Sequence, residues 1–240
     1  MKKTIVGLVT SLGLIGLLAG CGTTKLTTTK TNYRQNGMVA VVKGSTTKKA
    51  DLQYRINHNH FQKATVKDGT YVIQVPTTTN KQTVTVQAKA NGKTVQKKVT
   101  IAAGTSVGQY AKIAAQYNQA LIGMALSKAD QTKAQELQKQ AAAAKAGQLA
   151  PADLMTLKQR QQEVQAAMQQ VQQTQKDQLL PTTPKNGVTE WVATKHVTIR
   201  GSVDSQDVMG MTLITPVKAL KDKAALKDFG TSFALIAQAT

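Results

Sequence analysis

The sequence has 240 residues and is 41% hydrophobic but only 4% aromatic and 18% charged, enough apolar material for one large core or two modest ones and too much for a disordered chain. Lys and Arg number 31 against 12 Asp and Glu, a formal charge of +19, which points to anionic partners or a strongly solvated surface. A single cysteine, Cys21, excludes a disulfide framework within the chain.

The first predicted element is a leader. Met1, Lys2 and Lys3 form a short positive region, and Thr4 to Ala19 are a nearly unbroken apolar run of about 16 residues, just short of the ~17 needed to cross ~30 Å of hydrocarbon. Length alone leaves a short membrane helix, an export signal with a free Cys21, or an anchor signal open. Leu18-Ala19-Gly20-Cys21 resembles the lipobox of bacterial lipoproteins. The resemblance implies a diacylglyceryl group on the Cys21 sulfur, signal-peptidase cleavage between Gly20 and Cys21, and residence on the extracytoplasmic face of the cell membrane. Two acyl chains at ~0.8 kcal/mol per buried CH₂ would hold far more firmly than one. Residues 1–20 are thus expected to be a signal peptide.

Thr23 to Asn32 holds six threonines in ten residues with no apolar period, and residues 21–36 read as a flexible lipidated tether. A β pattern follows over 37–103. Apolar residues alternate in "MVAVVKG", at Leu52, Tyr54 and Ile56, and at Tyr71, Ile73 and Val75 before Pro76. Val84, Val86 and Ala88 lead to Asn91-Gly92, the sequence of a two-residue type I′ hairpin turn, and Val95, Val99 and Ile101 return. Lys97 interrupts the inward set as an edge-strand lysine does. Short strands with frequent turns predict a small antiparallel sandwich. The stretch from Gly44 to Pro76, with Tyr54, Gly69 and Tyr71, is similar to immunoglobulin-like modules of surface proteins from Gram-positive, lactic-acid-type bacteria, which implies a spacer or binding platform.

Basic residues concentrate here, with 14 basic and 2 acidic side chains between 25 and 104. Lys48, Lys49, Lys63, Lys67, Lys93, Lys97 and Lys98 are candidate contacts to teichoic acid or anionic lipid, each worth about 1 kcal/mol near a charged leaflet. Solubility alone would also account for them. Nucleic acid is not expected, since aromatics for stacking are few and no recognition motif is present. His58 and His60 in "INHNHF" share a face if the segment is a strand, but His196 is the only other histidine, and no metal site is expected.

Residues 104–180 read as helical. Gly104-Thr105-Ser106 with Gln109 resembles a capping box, and Tyr110, Ala114, Tyr117, Leu121 and Met124 recur at 4, 3, 4, 3 spacing. One helix is predicted to run on to Gly147, with Leu137, Ala141 and Ala144 on a weaker stripe. Pro151 and Asp153 suit the first turn of a second helix, with Leu149 placed to staple against Leu154. Leu154, Leu157, Val164, Met168 and Val171 continue it, interrupted by Gln161 and Gln175. An antiparallel hairpin up to about 45 Å long is expected, able to bind a protein partner or itself.

Residues 181–187, "PTTPKNG", read as a linker. Over 188–240, "HVTIRGSV" and "VMGMTLI" read as two strands joined at 204–207, and Leu226, Phe229, Phe233 and Ile236 as a terminal helix. "VMGMTLITPVKALKDKAALKDFG" is similar to surface lipoproteins of the same bacterial group that have no assigned activity.

The fold class expected is multidomain α+β: a small antiparallel immunoglobulin-like sandwich, an antiparallel helical hairpin, and a C-terminal β-hairpin with a helix. Function is expected to be non-catalytic, binding or structural, at the membrane and wall interface, with no cofactor. Acidic residues are scattered, no H-E-x-x-H occurs, and Cys21 is committed to lipid. The competing expectations are a solute-binding lipoprotein, which needs a bilobal fold of repeated βα units, and a chaperone-like one.

Overall fold

β-branched residues favour extended backbone, and the chain folds as strands for its first eighty described residues. The computed structural model describes residues 23–148 and 150–240. The leader, the lipobox with Cys21, and the proposed Leu149 staple lie outside the described residues. Within the described residues the fold is α+β, with four α-helices and three sheets that are almost wholly antiparallel.

The first body contains β1 (Leu26–Thr28), β2 (Asn32–Tyr33), β3 (Val39–Thr46), β4 (Asp51–Ile56), β5 (Gln62–Ala64), β6 (Val66–Lys67), β7 (Thr70–Pro76), β8 (Gln82–Ala90) and β9 (Lys93–Ile101). One sheet runs β1-β3-β7-β6, the other β2-β9-β8-β4-β5, and only β2 and β9 pair in parallel. The inward residues of both sheets meet in one cluster, with Ala40, Val42, Val75, Val84, Val86, Ala88 and Ile101 fully buried. The alternation in the sequence supplies this set. The β8–β9 turn is as expected: Ala90 pairs with Lys93, and Asn91 and Gly92 both have positive φ, 51° and 70°, the type I′ requirement. Lys97 is exposed, opposite Val86, on a stretch of β9 that β2 does not cover.

The threonine-rich stretch is not a tether beyond residue 22. β1 pairs with β3, matching Leu26 to Thr46, and Leu26 enters the core. Buried Thr24 donates from Oγ1 to the Ala90 carbonyl at 2.6 Å, and the Tyr33 hydroxyl, donating to the Lys43 carbonyl at 3.2 Å, accepts from the Lys30 amide at 3.2 Å. One leucine among threonines is enough to choose the face, and the threonine hydroxyls satisfy backbone that would otherwise face water. Composition misled here because threonine serves a polar coil and a strand equally well.

The second body is built from distant parts of the chain. β10 (Gly108–Gln109) runs straight into α1 (Tyr110–Ala125). Then come α2 (Lys128–Lys145) and α3 (Pro151–Thr174), followed by β11 (Gly187–Ala193), β12 (Thr198–Asp204), β13 (Asp207–Ile214) and α4 (Lys223–Ala239). The sheet order is β10-β13-β12-β11. On it lie Tyr110, Ile113, Ala114, Tyr117 and Leu121 of α1 and Leu235 and Ala239 of α4, meeting Trp191, Val192, Ile199, Val203 and Val208. α1 therefore lays its buried face on 179–239, while its C-terminal end also meets the next two helices, Gln131 Nε2 of α2 donating to the Gly123 carbonyl at 3.2 Å.

Three expectations change. The helix begins at Tyr110 and not with a capping box at 105–109, since its N-cap Gln109 makes no side-chain cap bond. The helix expected to reach Gly147 is two, because Ser127 caps α2: its Oγ accepts from the Asp130 amide at 3.1 Å and donates to the Asp130 carboxylate at 2.6 Å. Ser-x-x-Asp is a capping signal. The arm of α2 and α3 is consequently about 27 and 36 Å long at 1.5 Å per residue, shorter than 45 Å. Its turn is closed by Gly147 at φ 71°, with the Gln148 amide on the Ala143 carbonyl, the Schellman pattern. Ion pairs Lys133–Glu163 and Arg160–Glu136, both 3.2 Å, run in opposite chain directions. Leu137, Ala141 and Ala144 are half-buried and Val164 is buried, but Leu154 and Gln161 face solvent, as does Met124.

Two β-bulges were not legible. Glu190 pairs with Arg200 and Val192 with Ile199, leaving Trp191 as the extra residue, so Trp191 and Val192 both reach the core. Likewise Ser202 pairs with Gly210 and Val203 with Val208, leaving Met209 over, and Met209 turns to the first body. The strands 198–204 and 207–214 and the terminal helix are as expected, and β11 is an addition that starts within the expected linker.

Candidate functional site

The seven lysines singled out from the sequence are all exposed, but the fold separates them. Lys48 and Lys49 lie in the turn after β3, Lys67 at the end of β6, and Lys93 at the start of β9. The Thr46 amide bonds to the Gly69 carbonyl, the Lys25 amide to Thr47 Oγ1 at 3.0 Å, and Thr24 Oγ1 to the Ala90 carbonyl. These four lysines therefore share one end of the first body, with Lys25 and Lys89, which sequence reasoning passed over. Asp51 and Asp68 lie at the same end, Asp51 opposite Lys89. Lys63 and Lys98 sit on the outer face of the second sheet, paired with Gln53 and Thr85, near Arg55, whose guanidinium lies 4.9 Å from the Phe61 ring centroid. Lys97 lies at the open edge. None of the ion pairs between described residues falls in the first body.

His58 and His60 are exposed in the turn after β4, where Asn57 has φ 52°, so they do not share a strand face. Among the described residues no group of three or more His, Cys, Asp or Glu could hold a metal ion.

The second body holds a polar cluster around His196. His196 Nδ1 lies 2.7 Å from an Asp228 carboxylate oxygen, tying the β11–β12 loop to α4. A cavity of about 230 Å³ beside them is also lined by Tyr117, Gln178, Lys195 and Ser232. Burial raises the Tyr117 hydroxyl's pKa, partly offset by a hydrogen bond with Ser232. His196 Nε2 is buried with no hydrogen-bond partner among the described residues. A His–carboxylate pair can orient a general base, but a base needs its nucleophile within hydrogen-bond reach.

Two short serine patterns escaped the sequence reading. Gly104-Thr105-Ser106-Val107-Gly108 matches G-x-S-x-G, and Ser45-Thr46-Thr47-Lys48 matches S-x-x-K, both hypotheses that only context can confirm. Ser106 lies between β9 and β10, its Oγ 3.1 Å from the Gly108 amide and 3.4 Å from the Val208 carbonyl, with no histidine bonded to it. Ser45 pairs on β3 with Thr27, hydroxyl to hydroxyl at 2.7 Å. Both serines are held by structural bonds.

The two bodies meet through few groups. Gln35 Nε2 donates to the Met209 carbonyl, and Asp204 accepts from the Thr79 amide and hydroxyl at 2.9 and 3.0 Å. An open cleft of about 680 Å³ beside this contact is lined by Arg34, Gln35, Gly104 and Met209. Arg34 is its one charged residue.

No helix among the described residues is long and apolar enough to cross a membrane. No family model matches the chain, and no curated protein matches it. Among solved structures, an endo-beta-1,4-mannanase from Thermotoga petrophila aligns with 37% of this chain and 21% of its own at 12% identity and a TM-score of 0.29, too slight a likeness to carry any argument.

Proposed function

We propose that this protein is a lipid-anchored, non-catalytic protein of the bacterial cell envelope, held through diacylglyceryl-Cys21 on the extracytoplasmic face of the cell membrane and contacting anionic polymer or lipid there. The observation that carries this reading is the adjacency of Leu18-Ala19-Gly20-Cys21 to the first folded residues: Thr24 and Leu26 are already buried, three and five positions beyond the cysteine. A cleaved and acylated Cys21 would leave almost no slack between bilayer and body.

In this reading the two sheets of the first body form an immunoglobulin-like sandwich used as a platform. α2 and α3 form an antiparallel hairpin that serves as the arm for a protein partner or a second copy, its exposed Leu154 and Met155 lying near its tip. Ser45 and Ser106 are engaged in structural hydrogen bonds, which supports a binding role for the segments that carry them.

Expression of the full chain with an alkyne-palmitate label, followed by membrane fractionation, tests the anchor. Label and membrane association are expected in the wild type and both lost in Cys21→Ser. Membrane association unchanged in Cys21→Ser, with no label in either form, would overturn it.

A further inference from the structure

We propose that the end of the first body at which the described chain begins is a docking surface for anionic phospholipid headgroups, and that this end sets how the protein stands on the bilayer. The proposal rests on Cys21 as the anchor and deepens that reading by naming the surface and its occupant.

The geometry is fixed by backbone and threonine hydrogen bonds. Thr24, the 47–50 turn, the 67–69 turn and the 90–93 turn are bonded together. They carry Lys25, Lys48, Lys49, Lys67, Lys89 and Lys93, all exposed, against Asp51 and Asp68. Six positive and two negative side chains leave a net charge of +4. From Cys21 to Thr24 is three residues, a reach of at most about 10 Å, comparable to the ~8 Å Debye length at physiological salt. A sixteen-residue tether would have let any face turn to the membrane, whereas this one holds the lysine-rich end within range of the headgroups. Lys97 and Lys98 lie four and five residues farther along β9, about 14 and 17 Å away at 3.4 Å per residue, and their charges are largely screened from a bilayer at that end. Phospholipid, not wall polymer, is the occupant because the anchor brings this end to the bilayer.

The test uses residues 23–240, which contain both buried clusters entire, so that no acyl chain contributes. Two variants remove the same charge: Lys48→Gln/Lys67→Gln/Lys93→Gln at the end, and Lys81→Gln/Lys97→Gln/Lys98→Gln on the flank, where exposed Lys81 precedes Gln82, the partner of Ile101 at the far end of β9. Sedimentation with vesicles of one part phosphatidylglycerol to three parts phosphatidylcholine at low salt is expected to show at least about a tenfold loss of affinity for the first variant and less than about threefold for the second. Neutral phosphatidylcholine vesicles should bind neither, and circular dichroism should show both variants folded. Equal losses, or a greater loss in the flank variant, would overturn the proposal while leaving electrostatic membrane contact standing. Wild-type protein that ignores anionic vesicles but binds soluble lipoteichoic acid would overturn it in favour of the polymer. Failure to bind either would remove the electrostatic contact altogether, without touching the palmitate result.

Discussion

Each body lays an aromatic side chain on a glycine, and the two cases use that contact differently. In the first, a Cβ on Gly44 would strike the Tyr71 ring and hydroxyl and the Thr27 carbonyl, and the Tyr71 hydroxyl donates to that same carbonyl at 2.7 Å. Glycine there lets an inner strand, an edge strand and a buried phenol share one spot, so the contact fastens β1 to the sheet. In the second, a Cβ on Gly201 would fall within the Trp191 indole, while Tyr110 meets the same ring edge-on at 5.1 Å between centroids and 80°. Trp191 Nε1 is buried without a hydrogen-bond partner among the described residues, so this contact is packing alone. The first body is a sheet pair secured at its edge by polar bonds, and the second is a core centred on one indole.

The largest effect should come from Gly201→Ala, which has no way to relieve its clash except by moving the indole. A destabilisation of about 3 kcal/mol is expected, and Trp191, the only tryptophan, reports it directly as a lower denaturant midpoint by fluorescence. Gly44→Ala should cost about 2 kcal/mol, less because β1 is a three-residue edge strand that can shift. Its loss should appear in hydrogen exchange at 26–28 and 44–46 before Trp191 fluorescence changes. Simultaneous response of both reporters would show that the bodies unfold as one and break the comparison.

Smaller changes sharpen it. Tyr71→Phe removes one buried hydrogen bond and should cost about 1 kcal/mol at neutral pH. Burial, with the nearby Tyr33 adding to it, pushes the Tyr71 phenol up to about 12. The folded state therefore favours the protonated phenol: its contribution is intact below about pH 10, the unfolded value, and is lost as pH rises through 12. Tyr110, pushed by burial to about 12, does the same in the second body, so urea titrations at alkaline pH should flatten body by body in Tyr71→Phe and Tyr110→Phe. Ser127→Ala removes the α2 cap, an effect of about 1 kcal/mol confined to the arm. Faster exchange of the 128–131 amides with unchanged Trp191 fluorescence is the expected outcome.

The first body was legible from sequence where the two-residue period was clean: Val84, Val86, Ala88, Tyr71, Ile73 and Val75 all point inward as read. Its N-terminal edge was not, because a single Leu26 gives no period. In the second body the strands at 198–204 and 207–214 and the helix α4 were legible, but β10 has two residues and β11 is interrupted at Trp191. A bulge turns two successive residues to one face, which breaks the alternation on which strand reading depends. The segment from Tyr110 to Leu121 showed its helical stripe plainly, yet nothing local says that its partner begins sixty residues later. Of the candidate surface, the lysines were visible as composition, while their sorting into an end and a flank needed the strand register.

The proposed anchor is the premise of the proposed orientation, and mass spectrometry of the N-terminal peptide of protein extracted from producing cells tests it most directly. The account requires a peptide that begins at Cys21 and carries the mass of a diacylglyceryl group. A peptide that runs through Gly20 into an unmodified Cys21, or one that begins at Cys21 with a free thiol, would contradict it.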